Sequence, residues 1–361
     1  MFRFTRLKAH QPARTFLLAA VALLTGCGAS RPGDHPTIVL DHLPPAGAGG
    51  SEAFEAISGK VIGAEAGQQI VIYSHSGAWW WVQPFRSRPF TAVAADGSWK
   101  TPTHIGNDYA ALLVDPKFQP PVKLAAPPTV GNGVLAVTTM RGSSSAPRAP
   151  KLLRFSGYDW KVRTAPVDHN GEPTEYEPAN AWVDGNGHLH LLMGQADGHW
   201  RCAGVSLTRS LGYGTYRFVV QDSAMLPPSA VLAMFTRDDR EEQDSHTGLD
   251  VELSQWGKPK GRNADYVVQP YYIPENTTHF TVPPGPVTYV VNWEPGSATF
   301  RALAGVTATS HGRQMMERVF KSGIPIPAAE KVHLDLYDFF HSQSGLQHPV
   351  EVVIERFEYL P

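Results

Sequence analysis

The feature that most constrains this chain is a long succession of short, strand-like apolar runs, each cut off by turn residues, with no persuasive long amphipathic helix. In the first half these runs include Gln69-Ile70-Val71-Ile72-Tyr73, Trp79-Trp80-Trp81-Val82 and Tyr109-Ala110-Ala111-Leu112-Leu113-Val114, separated by signals such as Ser76-Gly77 and Asp96-Gly97. In the second half they include Gly187–Leu192, Gly214–Val220, Val231–Phe235, Leu249–Leu253, Tyr266–Gln269, Thr288–Trp293 and Glu351–Phe357. Runs of this length and spacing read as antiparallel β-structure, and the absence of an internal repeat argues against a propeller. The fold class expected is all-β: a small N-terminal β-sandwich over residues 57–120, then a large sandwich or jelly roll over 151–361. A Pro- and Ser-rich stretch over 121–150 reads as a linker between them.

Composition supports the same reading. Glycine (33) and proline (31) are plentiful and charged residues make only 18% of the chain, which suits turns better than helical faces. The near balance of 31 Lys and Arg against 33 Asp and Glu implies no broad basic surface, so nucleic acid is not an expected partner. Two cysteines are too few for a disulfide framework or a Cys-based zinc site. No Gly-rich phosphate loop and no Gly-x-Ser-x-Gly elbow is present.

The N-terminus combines Arg3, Arg6, Lys8 and Arg14 with an apolar run from Phe16 to Leu24 and then Leu24-Thr25-Gly26-Cys27. The run is shorter than the roughly 20 residues a membrane span needs, and the whole has the form of a signal peptide over 1–26. The last four residues resemble a bacterial lipobox. That resemblance implies lipid attachment at Cys27 and a membrane-anchored lipoprotein, with the residue after the cysteine compatible with the outer membrane and a periplasmic or cell-surface location. Residues 27–56, rich in Pro, Gly and Ala, read as a flexible tether. Cys202 reads as a buried thiol.

Four segments in order carry a further resemblance: Asn180–Asp184 leading into Gly187–Leu191; Leu211–Arg217; Gly248-Leu249-Asp250-Val251-Glu252-Leu253; and Tyr289–Gly296. Together they resemble glycoside hydrolase family 16, the laminarinase and lichenase group, over roughly residues 155–361. The resemblance implies a concanavalin-like jelly roll and a polysaccharide partner. It places Glu252 at the acid/base position and Asp250 at the assisting carboxylate, as catalytic residues, and Trp182, Trp256, Gln269 and Trp293 among the sugar-contacting ones. It also implies a structural Ca²⁺, for which no Asp-rich loop gives a motif, so no cofactor and no metal residue is assigned. His188 and His190 alternate on one strand face without a third ligand at recognisable spacing.

Residues 248, 250 and 252 share one strand face, and the nucleophile position of the family's Glu-x-Asp-x-Glu strand holds Gly248. Three readings follow: a degenerate cleft that binds a polysaccharide without cutting it; a working hydrolase that uses Glu252 with Asp250, about 6.8 Å along the strand, or with Glu241, Glu242 or Asp244; or a non-sugar interaction scaffold. A third carboxylate within about 6 Å of Glu252 favours hydrolysis over binding, and a Gly248→Glu change is expected to create activity in an otherwise intact cleft.

Overall fold

The computed structural model describes residues 35–50, 53–145, 149–165, 174–196, 199–222, 224–238, 247–307, 312–341 and 345–361. The signal segment, Cys27, Glu241, Glu242 and Asp244 lie outside the described residues.

The strands in chain order are β1 (Thr37–His42), β2 (Phe54–Ile62), β3 (Gln69–Ser76), β4 (Trp79–Gln83), β5 (Phe90–Ala92), β6 (Ser98–His104), β7 (Asp108–Val114), β8 (Lys123–Leu124) and β9 (Val134–Arg141) in the first half. The second half holds β10 (Leu152–Phe155), β11 (Tyr158–Val162), β12 (Glu175–Tyr176), β13 (Ala181–Val183), β14 (Leu189–Ala196), β15 (His199–Leu207), β16 (Gly214–Val220), β17 (Ala230–Arg237) and β18 (Leu249–Leu253). It continues with β19 (Ala264–Val268), β20 (Thr277–Phe280), β21 (Val287–Glu294), β22 (Ser297–Ala304), β23 (Gln314–Phe320), β24 (Lys331–Asp338) and β25 (Val350–Leu360). Among the described residues the only helical turns are two short 3-10 segments, Pro178–Asn180 and Pro274–Asn276. The chain is all-β.

The first sandwich packs a sheet ordered β1-β2-β6 on one ordered β8-β4-β3-β7-β9. Alternation along β3 and β7 sends Ile70, Ile72, Tyr109 and Leu113 to a core shared with Ile38, Ile57 and Trp99, and Val71, Tyr73, Leu112 and Val114 to a second cluster with Trp80 and Val82. Trp79 and Trp81 therefore face outward, and Lys123 Nζ lies 5.0 and 5.1 Å from their ring centres.

Two boundaries differ from the sequence reading. The expected tether contains β1, paired antiparallel with β2. The expected linker contains β8, paired with β4, and β9, paired with β7 along its length. These two stretches are tied to each other, since Ser143 N donates to Pro44 O at 2.8 Å and Ala46 N to Ser143 O at 3.0 Å. The Pro and Gly residues that suggested a loose chain sit in the turns flanking short β-rich runs, and those runs are fixed by pairing with β2, β4 and β7 of the same sandwich.

In the second sandwich one layer runs β20-β19-β18-β17-β24-β15 and the other β14-β25-β16-β21-β22-β23, continuous through the β14–β15 hairpin. Leu232, Met234, Val251, Tyr266 and Leu334 from the first layer meet Leu191, Tyr216, Tyr289, Phe300 and Ile354 from the second in one apolar core. This is a jelly-roll sandwich. Both sandwiches fall within one compact unit, His35–Pro361, and Phe54 of the first packs against the core of the second.

Candidate functional site

The first layer of the jelly roll buries one set of alternating side chains and turns the other set outward. On β18, Leu249, Val251 and Leu253 enter the core, leaving Asp250 and Glu252 on the opposite face. On β19, Ala264, Tyr266 and Val268 enter the core, leaving Asp265 and Val267, with Gln269 following. β17 contributes Ala233, Phe235 and Arg237. These residues floor a cleft of about 770 Å³, walled by Trp256, Tyr337 and Phe339 on one side and by Tyr271, Tyr272 and His279 on the other.

The ladders fix two rows across this floor. Ala233, Glu252, Asp265 and His279 are successive cross-strand partners on β17, β18, β19 and β20. Phe235, Asp250, Val267 and Thr277 form the adjacent row. Directly opposed side chains in an antiparallel pair have Cβ atoms about 4.5–5.5 Å apart, so Asp265 is the third carboxylate beside Glu252.

Asp250 is buried, and Gln269 Nε2 donates to its Oδ2. Burial pushes its carboxyl up to about 7, against the Gln269 hydrogen bond and the Arg237 charge. Gln269 Oε1 in turn accepts from Tyr271 N at 3.0 Å, which ties the aromatic loop to the floor. Glu252 keeps a partly exposed edge on the cleft. Burial of its carboxyl, reinforced by the negative charges of Asp250 and Asp265, drives it well above the usual carboxylate range. Asp265 is 4% exposed. Its Oδ2 accepts from Trp256 Nε1 at 2.7 Å, and its Oδ1 lies 2.5 Å from His279 Nδ1.

Of the residues read from sequence, Asp250, Glu252, Trp256 and Gln269 all line the cleft. Trp293 does not: it is 1% exposed in the core, donating from Nε1 to Pro325 O at 3.1 Å. Its place on β21, which is flanked by β16 and β22 in the second layer, sends the indole inward. Trp182 also lies elsewhere, on β13 beside β14 in the second layer, stacked on His190 with ring centres 5.0 Å apart. His190 itself bridges carboxylates, with Nδ1 2.6 Å from Glu351 Oε1 and Nε2 3.4 Å from Asp184 Oδ2. The described residues hold no group of three or more His, Cys, Asp or Glu arranged for a metal ion. Cys202 is buried, and burial raises its thiol to about 12.

Gly248 has a structural reason to be glycine. A Cβ there would lie 2.4 Å from Thr236 O and 3.2 Å from Asp250 Oδ1, because Gly248 packs against the β17 backbone while its own carbonyl accepts from Gln269 N at 3.0 Å. No side chain fits at the expected nucleophile position without moving that strand.

Sequence reading missed Asp265 and His279. Asp265 shares the 265, 267, 269 alternation with Gln269, so it was within reach; His279 belongs to a four-residue strand whose pairing is visible only in the sheet.

No family model and no curated protein matches the chain. Among solved structures it is similar to a β-glucanase of Bacillus licheniformis, at 15% identity and a TM-score of 0.45, over 59% of this chain and 98% of the other. It is similar to a prokaryotic β-1,3-1,4-glucanase (lichenase) derived from a mouse hindgut metagenome, at 14% identity and a TM-score of 0.43, over 55% and 92%. An immunostimulatory antigen and pseudo β-1,3-glucanase of Mycobacterium tuberculosis aligns at 16% identity and a TM-score of 0.39, over 54% and 88%. These are likenesses of fold at low identity.

Proposed function

We propose that the protein is an extracytoplasmic lipoprotein, anchored through Cys27, whose jelly-roll cleft binds a polysaccharide. The observation that carries this reading is the pairing, in one open cleft, of exposed aromatic rings with deeply seated polar groups. Tyr271 and Tyr272 are 64% and 73% exposed, and with Trp256 they offer flat apolar faces to the C–H faces of sugar rings. Asp250, Glu252 and Gln269 supply acceptors and donors for hydroxyl groups at the floor. A long polymer suits a cleft open to solvent, whereas an enclosed cavity suits a small molecule.

The test is a glycan array that includes a β-1,3-glucan and a mixed β-1,3-1,4-glucan, read for the wild type and for Tyr271→Ala/Tyr272→Ala. Binding that falls at least tenfold in the variant supports the reading. No binding to any glycan by the folded protein overturns it and favours an interaction scaffold. Metabolic labelling with a fatty acid, lost in Cys27→Ser, tests the anchor separately.

A further inference from the structure

Resting on the glycan-binding reading above, we propose that the Glu252–Asp265–His279 row hydrolyses the bound glycan with inversion at the anomeric carbon: Glu252 is the acid, and His279, oriented by Asp265, is the base that activates water.

The row itself is the geometric ground. Glu252, Asp265 and His279 share a register line across three adjacent strands, so all three project from one face at steps of about 4.8 Å. Acid and base then stand two strands apart, about 10 Å between backbones. That is compatible with the roughly 6.5–9.5 Å between acid and base groups that leaves room for a water in an inverting site.

Asp265 is not the nucleophile despite its closeness to Glu252. It is almost fully enclosed, and its two oxygens already accept from Trp256 Nε1 and His279 Nδ1. Its part is positioning. A carboxylate holding Nδ1–H fixes the imidazole with its lone pair on Nε2 and stabilises the imidazolium once a proton arrives. The His279 side chain is 55% exposed, which leaves Nε2 available to a water in the cleft. Burial and two neighbouring carboxylates raise the hold of Glu252 on the proton an acid needs. No side chain fits at position 248 to supply the oxygen of a double displacement, and Asp250 is buried and held by Gln269.

The step balances with one water. Glu252 gives its proton to the glycosidic oxygen as the bond from that oxygen to the anomeric carbon breaks, and the electron pair leaves on the oxygen. The water oxygen bonds the anomeric carbon from the opposite face, and its proton passes to His279 Nε2. Two shorter glycans result, and solvent returns the proton from His279 to Glu252.

The experiment uses the full chain and the polysaccharide bound most tightly on the array. Expected are new reducing ends whose first-formed anomer is inverted by proton NMR. His279→Ala, at an exposed position, should fold and, at saturating glycan, lose about 10²–10³-fold in rate, with imidazole restoring turnover. Glu252→Gln should lose rate without such rescue. In Asp265→Asn the downfield Nδ1–H resonance of His279 should vanish. Binding with no reducing ends overturns this inference while leaving the binding reading standing, as does a retained anomer or an undiminished rate in His279→Ala. Absence of all glycan binding overturns both.

Discussion

The carbonyl oxygen of Thr236 lies 2.4 Å from the point a Cβ would occupy on Gly248. This contact reverses an expectation drawn from sequence, that Gly248→Glu would restore a missing nucleophile. Even Gly248→Ala must push β17 and β18 apart, and overpacking of this kind costs about 1–3 kcal/mol. Chemical denaturation should show both variants less stable than wild type, with no gain of hydrolysis through a retained anomer. A fully stable, newly active Gly248→Glu protein would falsify the assignment of this glycine to backbone packing.

Asp250 makes stability depend on pH. Burial lifts its carboxyl to about 7 in the folded protein, whereas an unfolded Asp ionises at about 3.9. Between those values the folded state holds more protons, so the contribution of the neutral carboxyl is complete below about pH 4 and is lost as pH rises through about 7. Asp250→Asn removes this titration. Its melting temperature relative to wild type should therefore rise from pH 4 to pH 8, and parallel curves across that range would contradict the burial argument.

The two tryptophans expected to contact sugar should separate by assay. Trp293 fills the core, and Trp293→Ala should cost about 3–5 kcal/mol, while Trp293→Phe should bind glycan as wild type does. Trp256 lines the cleft and donates to Asp265, so Trp256→Ala should weaken glycan binding at least tenfold while leaving most of the stability. Isothermal titration alongside denaturation distinguishes the two, and equal behaviour in both assays would refute the placement.

Arg163 and Asp335 form an ion pair with side chains only 5% and 1% exposed, and the guanidinium lies 3.9 Å from the centre of the Tyr176 ring. Removing one partner strands a buried charge, at about 3–5 kcal/mol. Asp335→Ala should show that loss in urea denaturation, whereas the joint change Arg163→Met/Asp335→Leu should recover part of it. Additive losses in the double variant would argue that the two charges are not coupled.

Much of the jelly roll was legible because its strands announce themselves by β-branched runs, as in Tyr266-Val267-Val268 and Thr288–Val291. Lys331–Asp338 was passed over although Val332, Leu334 and Leu336 alternate with His333, Asp335 and Tyr337, a pattern diluted by its polar half. In the cleft, Asp250 and Glu252 were readable because the Gly248–Leu253 segment resembles the glycoside hydrolase family 16 strand and alternation puts both on one face. Asp265 and His279 join them through cross-strand register, which depends on which strands become neighbours. Trp182 and Trp293 were misplaced for the same reason: nearness to a motif in sequence did not specify the layer. β1 and β9 were hidden by the turn residues beside them, although β1 pairs with the next strand, β2, and β9 with β7.

The two strands latest in chain order are not edge strands. β24 sits between β17 and β15, and β25 sits between β14 and β16. Neither layer can therefore knit together during synthesis until Lys331–Leu360 has been made, and the earlier strands must wait with open edges. A chain wired this way has a built-in delay, dominated by contacts between remote segments that close slowly. Until then the edges of β17, β15, β14 and β16 that β24 and β25 will cover stay open to pairing with other chains.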